Sequence, residues 1–167
     1  GETKVLYFKY VFVSDKKRYE MFNKSKDDVM VDTLEEVAML NAIYLIGNKL
    51  SPQIQFQIET QIIWTDYPLQ FDSANLNTSS PEGNVFLSNF HQWIIETTYF
   101  NITGWIASAG TDEERKITFD TSLITGTKKE LGDRADGWHM LTGYGGFIRH
   151  NDTNVSGMAP IDRMCVN

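Results

Sequence analysis

Apolar and polar positions change period several times along this chain, and each change marks an element. Val5 to Val13 is almost continuously apolar and rich in β-branched and aromatic residues, the pattern of a strand covered on both faces. Ser14 and Asp15, with the basic residues after them, end it. Ser25 three residues before Asp28 is an N-capping pattern with acids in the first turn. From there Val29, Leu34, Val37, Met39, Leu40, Ile43 and Tyr44 recur at roughly helical spacing, and Gly47 stops the predicted helix. Strict alternation follows: Ile54, Phe56, Ile58, Thr60 and Ile62 against Gln55, Gln57, Glu59 and Gln61, a strand with one buried and one polar face. A Gly/Asn/Ser/Pro-rich loop from Asp72 to Gly83 leads to a second helix whose inward stripe is Val85, Phe86, Phe90, Trp93 and Ile94.

The end of the chain reads as an apolar strand over Asp136–Thr142, a polar turn bearing Asn151 and Asn154, a short strand beginning at Gly157, and Cys165. Residues 97–133 interrupt the strand–helix rhythm. Their apolar pieces, around Trp105–Ala107 and Ile117–Phe119, flank the charged turn Gly110–Lys116 and are read as a hairpin, with Asp112, Glu113 and Glu114 at a solvated tip. Strand, helix, strand, helix, strand predicts an α/β fold, with a mixed, mostly parallel twisted sheet and packed helices, in a single domain spanning 1–167.

Composition narrows the function. A net charge of −7 disfavours nucleic acid, whose phosphates reward dense Lys/Arg patches. No apolar run approaches the roughly 20 residues that cross a bilayer. The first residues lack a signal-peptide pattern, so any targeting segment is expected to have been removed already. Asn23, Asn77, Asn101, Asn151 and Asn154 each begin an Asn-x-Ser/Thr tripeptide, an excess that favours a secreted, extracellular chain carrying glycans. Cys165 is the single cysteine, which in a secreted protein means a partner elsewhere, a free thiol, or a buried small hydrophobe.

Side chains that carry chemistry are sparse. His91, His139 and His150 fall on a predicted helix, strand and loop without partner cysteines, which does not build a zinc site. His139 reads as a core or half-buried residue. No serine sits in a nucleophile-elbow pattern, no base is expected near Cys165, and Gly143–Gly146 is a turn after a strand rather than a phosphate cradle. The four tryptophans, Trp64, Trp93, Trp105 and Trp138, read as packing residues.

The order of these pieces resembles reprolysin-type (adamalysin, ADAM-like) metalloproteases. Tyr10–Asp15 is similar to the family's opening strand, and Asn41-Ala-Ile-Tyr44 to part of its first helix. Ile58–Trp64 followed by Thr-Asp matches the second strand, and Phe90-His-Gln-Trp93 the second helix. Asp136–Thr142, Gly157-Met-Ala-Pro160 and Met164-Cys165 match the third strand, the edge strand and a cysteine. Residues 97–133 depart from the family as an insertion, read as a surface exosite.

The resemblance implies the N-terminal subdomain of a metzincin, a zincin-like lobe forming the upper rim of a peptide-cutting cleft. It implies zinc in the complete catalytic domain, none bound by this chain, and a Cys165 disulfide to a downstream cysteine. The zinc motif His-Glu-x-x-His-x-x-Gly-x-x-His is nowhere in the sequence, so the isolated chain is expected to be inactive and no catalytic residue can be named in it. Gly157, Met158, Ala159 and Pro160 would form the edge strand that pairs with a protein or peptide substrate, although Pro160 also suits an ordinary blunted edge. Many members bind calcium through an acid on the first strand and an Asp before the third. Asp136 fits the second position, but Lys9 stands at the first, so a Lys9–Asp136 contact is expected in place of the ion. Expected partners are the substrate and the remainder of the catalytic domain, with no nucleic acid and no membrane. Apolar surface left bare would let the chain form a homodimer.

Two rival readings stand beside this one. The chain could be a non-catalytic binding or regulatory module derived from the same fold. It could also be an unrelated α/β domain, in which case the first and third strands need not be sheet neighbours.

Overall fold

The computed structural model describes residues 4–46, 52–96, 103–108, 118–119, 135–149 and 152–155. Within them the fold is α/β. β1 (Val5–Ser14), β2 (Gln53–Trp64), β3 (Gly104–Ser108), β4 (Thr118–Phe119) and β5 (Gly137–Leu141) form one mixed sheet in the order β4-β3-β2-β1-β5. β2 and β5 flank β1 and run parallel to it, whereas β3 runs against β2 and β4 against β3. The hairpin expected within 97–133 is therefore present as the β3–β4 pair, and it widens the sheet.

Helices cover both faces. α2 (Lys26–Ile46) lies on one side, where Val29 and Met30 pack with Ile63. α3 (Gly83–Glu96) lies on the other, where Phe86, Phe90 and Trp93 meet Val11, Val13, Ile62 and Trp64. Trp64 and Trp93 are fully buried and meet edge to face at 4.9 Å between ring centroids. Such pairs add about 1 kcal/mol beyond the area they bury.

Tertiary packing changes several expectations. β1 is not covered along its whole length: Val11 to Ser14 are buried, but Val5 to Tyr10 are partly or fully exposed. The single buried face expected for β2 is split by a register shift, where Tyr10 pairs with Ile58 but Val11 pairs with Thr60, leaving Glu59 extra. One extra residue reverses the alternation. Phe56 accordingly packs against Tyr44 of α2, while Ile62 and Trp64 face α3. Gln61, expected on the polar face, is buried beneath α2, where its amide nitrogen donates to the Met30 carbonyl at 3.4 Å.

In α2 the expected inward stripe is only half right. Val29 and Val37 are buried, but Leu34, Met39 and Ile43 face solvent. The helix start is as expected, with the Asp28 N–H donating to Ser25 Oγ at 3.3 Å. A short helix absent from the sequence reading, α1 (Lys16–Met21), directly follows β1. The polar turn expected between β5 and Gly157 instead holds two strands, β6 (Phe147–Arg149) and β7 (Asp152–Val155), which pair antiparallel. Phe147 explains β6, because it is buried against Phe86 at 5.1 Å. Gly47, Asp112, Glu113 and Glu114 lie outside the described residues.

Candidate functional site

Because β1, β2 and β5 run parallel, their carboxyl ends share one edge of the sheet. Ligands of open α/β sheets bind outside such ends, at the point where connections depart to opposite sides. β1 is that point here. Ser14 is followed by Asp15, β2 by Asp66 and Tyr67, and β5 by Thr142, Gly143 and Tyr144.

Asp15 is the hub of this edge and is fully buried. It caps α1 through Oδ1, which accepts from Arg18 N at 2.8 Å and from Gly143 N at 3.1 Å. Oδ2 accepts from Tyr67 Oη at 2.9 Å and Thr142 Oγ1 at 2.6 Å. The Asp15 N–H donates to the Leu141 carbonyl at 3.1 Å. One carboxyl group thereby joins the ends of β1 and β5 and the loop after β2. Burial pushes its pKa above the usual carboxylate value, and its four donors pull it partly back. Burial and the nearby Asp15 raise the Tyr67 phenol far above its usual range, which keeps it a donor.

Arg18 lies beside this hub and is itself buried. Its guanidinium donates to Asp32, approaches Glu36 at 3.5 Å and reaches Ser14 Oγ at 3.4 Å. Buried guanidinium is tolerated where carboxylates and acceptors surround it. The outer rim is polar and open: Lys16 Nζ lies 3.1 Å from Asp66 Oδ1, and Lys17 Nζ sits 5.7 Å above the Tyr144 ring.

This arrangement positions chain segments and does not perform acid–base chemistry. Asp15 has no exposure, and each oxygen already accepts two hydrogen bonds. Its consequence lies downstream, in the segment leaving β5. Tyr144 Oη donates to the Leu76 carbonyl at 2.8 Å, and Ile148 N to the Pro81 carbonyl at 3.0 Å. The hub and these two bonds fix the direction in which the chain runs from β5 into β6 and β7.

Of the residues singled out from sequence, Lys9 and Asp136 do meet, but through the main chain. Lys9 N donates to Asp136 Oδ2 at 2.8 Å and Asp136 N to the Lys9 carbonyl at 2.7 Å. Among the described residues no ion pair joins the Lys9 ammonium to Asp136. His139, expected in the core or half-buried, is instead exposed on β5, where its ring meets Phe12 edge-on at 5.8 Å and loss of surrounding water lowers its pKa. His91 lies on α3, exposed.

Asn23 is exposed at φ 52°, just after α1, and the hydroxyl of its tripeptide, Ser25, is the cap of α2. Asn77 is exposed in the loop before α3, and Asn154 lies in β7. Gly157, Met158, Ala159, Pro160, Cys165, Asn101, Asn151 and His150 lie outside the described residues. Among the described residues no group of three His, Cys, Asp or Glu side chains could hold a metal ion.

Asp15 was legible in sequence only as the end of a strand, although Asp is a favoured helix N-cap and could have revealed α1. The convergence of Tyr67 and Thr142 on Asp15 left no local signal, because it joins residues 52 and 127 positions away. No family model, curated protein or solved structure matches this chain.

Proposed function

We propose that this chain is the sheet-bearing lobe of a secreted zinc metalloendopeptidase of the reprolysin type, which hydrolyses peptide bonds once completed by the remainder of the catalytic domain. The observation that supports this most is the pairing of β1 with β5. The two strands stand 123 positions or more apart, across the insertion, yet are parallel neighbours, with β2 on the other side of β1. An accidental likeness of short motifs gives no reason for that adjacency.

In that class a zinc-bound water is activated with a glutamate as general base. The family's zinc motif is not in this sequence, so in this reading the zinc ligands and the glutamate would come from the remainder of the catalytic domain. The test is to recover the natural transcript, express its full product, and measure bound zinc and cleavage of a quenched fluorescent peptide with and without a chelator. The proposal expects stoichiometric zinc and chelator-sensitive cleavage. A full product without either overturns it. A second reading, a non-catalytic binding module of the same fold, is favoured by the apolar side chains that α2 exposes, and it predicts a full product that binds a protein without cutting it.

A further inference from the structure

Apolar residues occur all round α2, which is unusual for a helix with one side in solvent. Its rotation is fixed from within: Val29 and Val37 are buried, Arg18 holds Asp32, and Asn41 binds the main chain of Phe56. The outward side cannot turn toward the sheet without breaking these contacts. That side carries Val31 (54% exposed), Leu34 (43%), Met39 (61%), Ile43 (66%) and Leu45 (58%), with Ala38 and Ala42 between them. Glu35 is the one charged residue among the exposed positions from Val31 to Leu45.

We propose that this face is the interface of a homodimer, in which two copies pack their α2 helices antiparallel about a two-fold axis at Ala38. The inference is independent of the peptidase reading. Val31, Ala38 and Leu45 are seven residues apart, the spacing of a helix–helix seam. An antiparallel two-fold at Ala38 sets Val31 against the second copy's Leu45, Leu34 against its Ala42, and Ala38 against itself. The small Ala38 pair at the axis lets the helices approach, Leu34 fits over Ala42, and Val31 meets Leu45 at each end, so the face can pair with its own copy, as an isologous contact requires. The five large side chains leave about 500 Å² of apolar surface per copy, and a second copy that covered Met39 and Ile43 as well as the seam would bring the buried total to about 1,000 Å², the lower bound of a specific interface. A contiguous apolar face of this size is as large as the largest patch on a typical monomer, and such patches often mark an interaction site.

Sedimentation equilibrium of the 167-residue chain and of its Ala38→Arg variant tests the proposal. The chain should form a concentration-dependent dimer, and Ala38→Arg should weaken it by at least about tenfold with an unchanged circular dichroism spectrum. Independently, Ala38→Cys in a Cys165→Ser background should oxidise to a covalent dimer, whereas Met21→Cys, exposed but off the face, should not. A chain that stays monomeric over the concentration range, including one that pairs only with a different protein, overturns the proposal. So does a dimer that tolerates Ala38→Arg and gives no cross-link through position 38.

Discussion

The side chain of Asn41 holds both main-chain polar groups of Phe56: its Oδ1 accepts from Phe56 N at 2.7 Å, and its Nδ2 donates to the Phe56 carbonyl at 2.9 Å. β3 pairs with β2 from Thr60 to Trp64, and among the described residues no strand pairs with the outer edge of β2 before that point. Asn41 supplies there the bonds that a neighbouring strand would make. Replacing Asn41 with Leu leaves a partly buried donor and acceptor unpaired and should cost about 2–3 kcal/mol in urea unfolding. Asn41→Asp keeps the acceptor and should cost less. Equal stability of all three proteins would refute this role.

Asp15 makes the stability depend on pH in an unusual direction. Its folded pKa is raised, so its carboxyl favours folding most below the unfolded value of about 3.9, and that contribution is lost as pH rises through the folded pKa. Asn mimics the protonated acid without titrating. The advantage of the natural chain over Asp15→Asn should therefore shrink between pH 4 and neutrality, as read from urea midpoints. An advantage that grows with pH would mean that the four donors outweigh burial.

Gly143 is required for space. A Cβ there would stand 2.5 Å from Arg18 N, against main chain that cannot move aside. Gly143→Ala should cost about 2–3 kcal/mol, the upper range for overpacking, and lower the thermal midpoint by several degrees. A midpoint equal to that of the natural chain would contradict the close approach of the β5 end to α1.

Arg18 and Asp32 should be coupled. Arg18→Met removes a buried cation from its carboxylates and should destabilise by about 3 kcal/mol, and Asp32→Asn by less. In a double-mutant cycle the two changes should fall short of additivity by about 1 kcal/mol or more. Additive losses would show that Arg18 is held by packing alone, including its contact at 5.8 Å with the Phe22 ring.

Periodic segments were readable directly. The strands at Val5–Ser14 and Gln53–Trp64 and the helices at Lys26–Ile46 and Gly83–Glu96 follow from runs and spacings within each segment, because a hydrophobic period is a local property. The core stripe Phe86, Phe90 and Trp93 followed in the same way. The same locality explains the misses. α1 is too short to show a period and depends on Asp15 for its cap, while β6 depends on Phe147 reaching Phe86 from 61 positions away.

By itself, then, the sequence determined the long periodic elements, two strands and two helices, and with them the α/β class. Only the tertiary structure decided three further things. The extra residue at Glu59 sends Phe56 and Ile62 to opposite faces. Asp15 gathers Tyr67, Thr142 and Gly143 at one sheet edge. And one side of α2 is left apolar and open. The physical reason is common to all three. Each depends on which distant segment fills the space beside a residue, and the local pattern of apolar and polar positions carries no record of that neighbour.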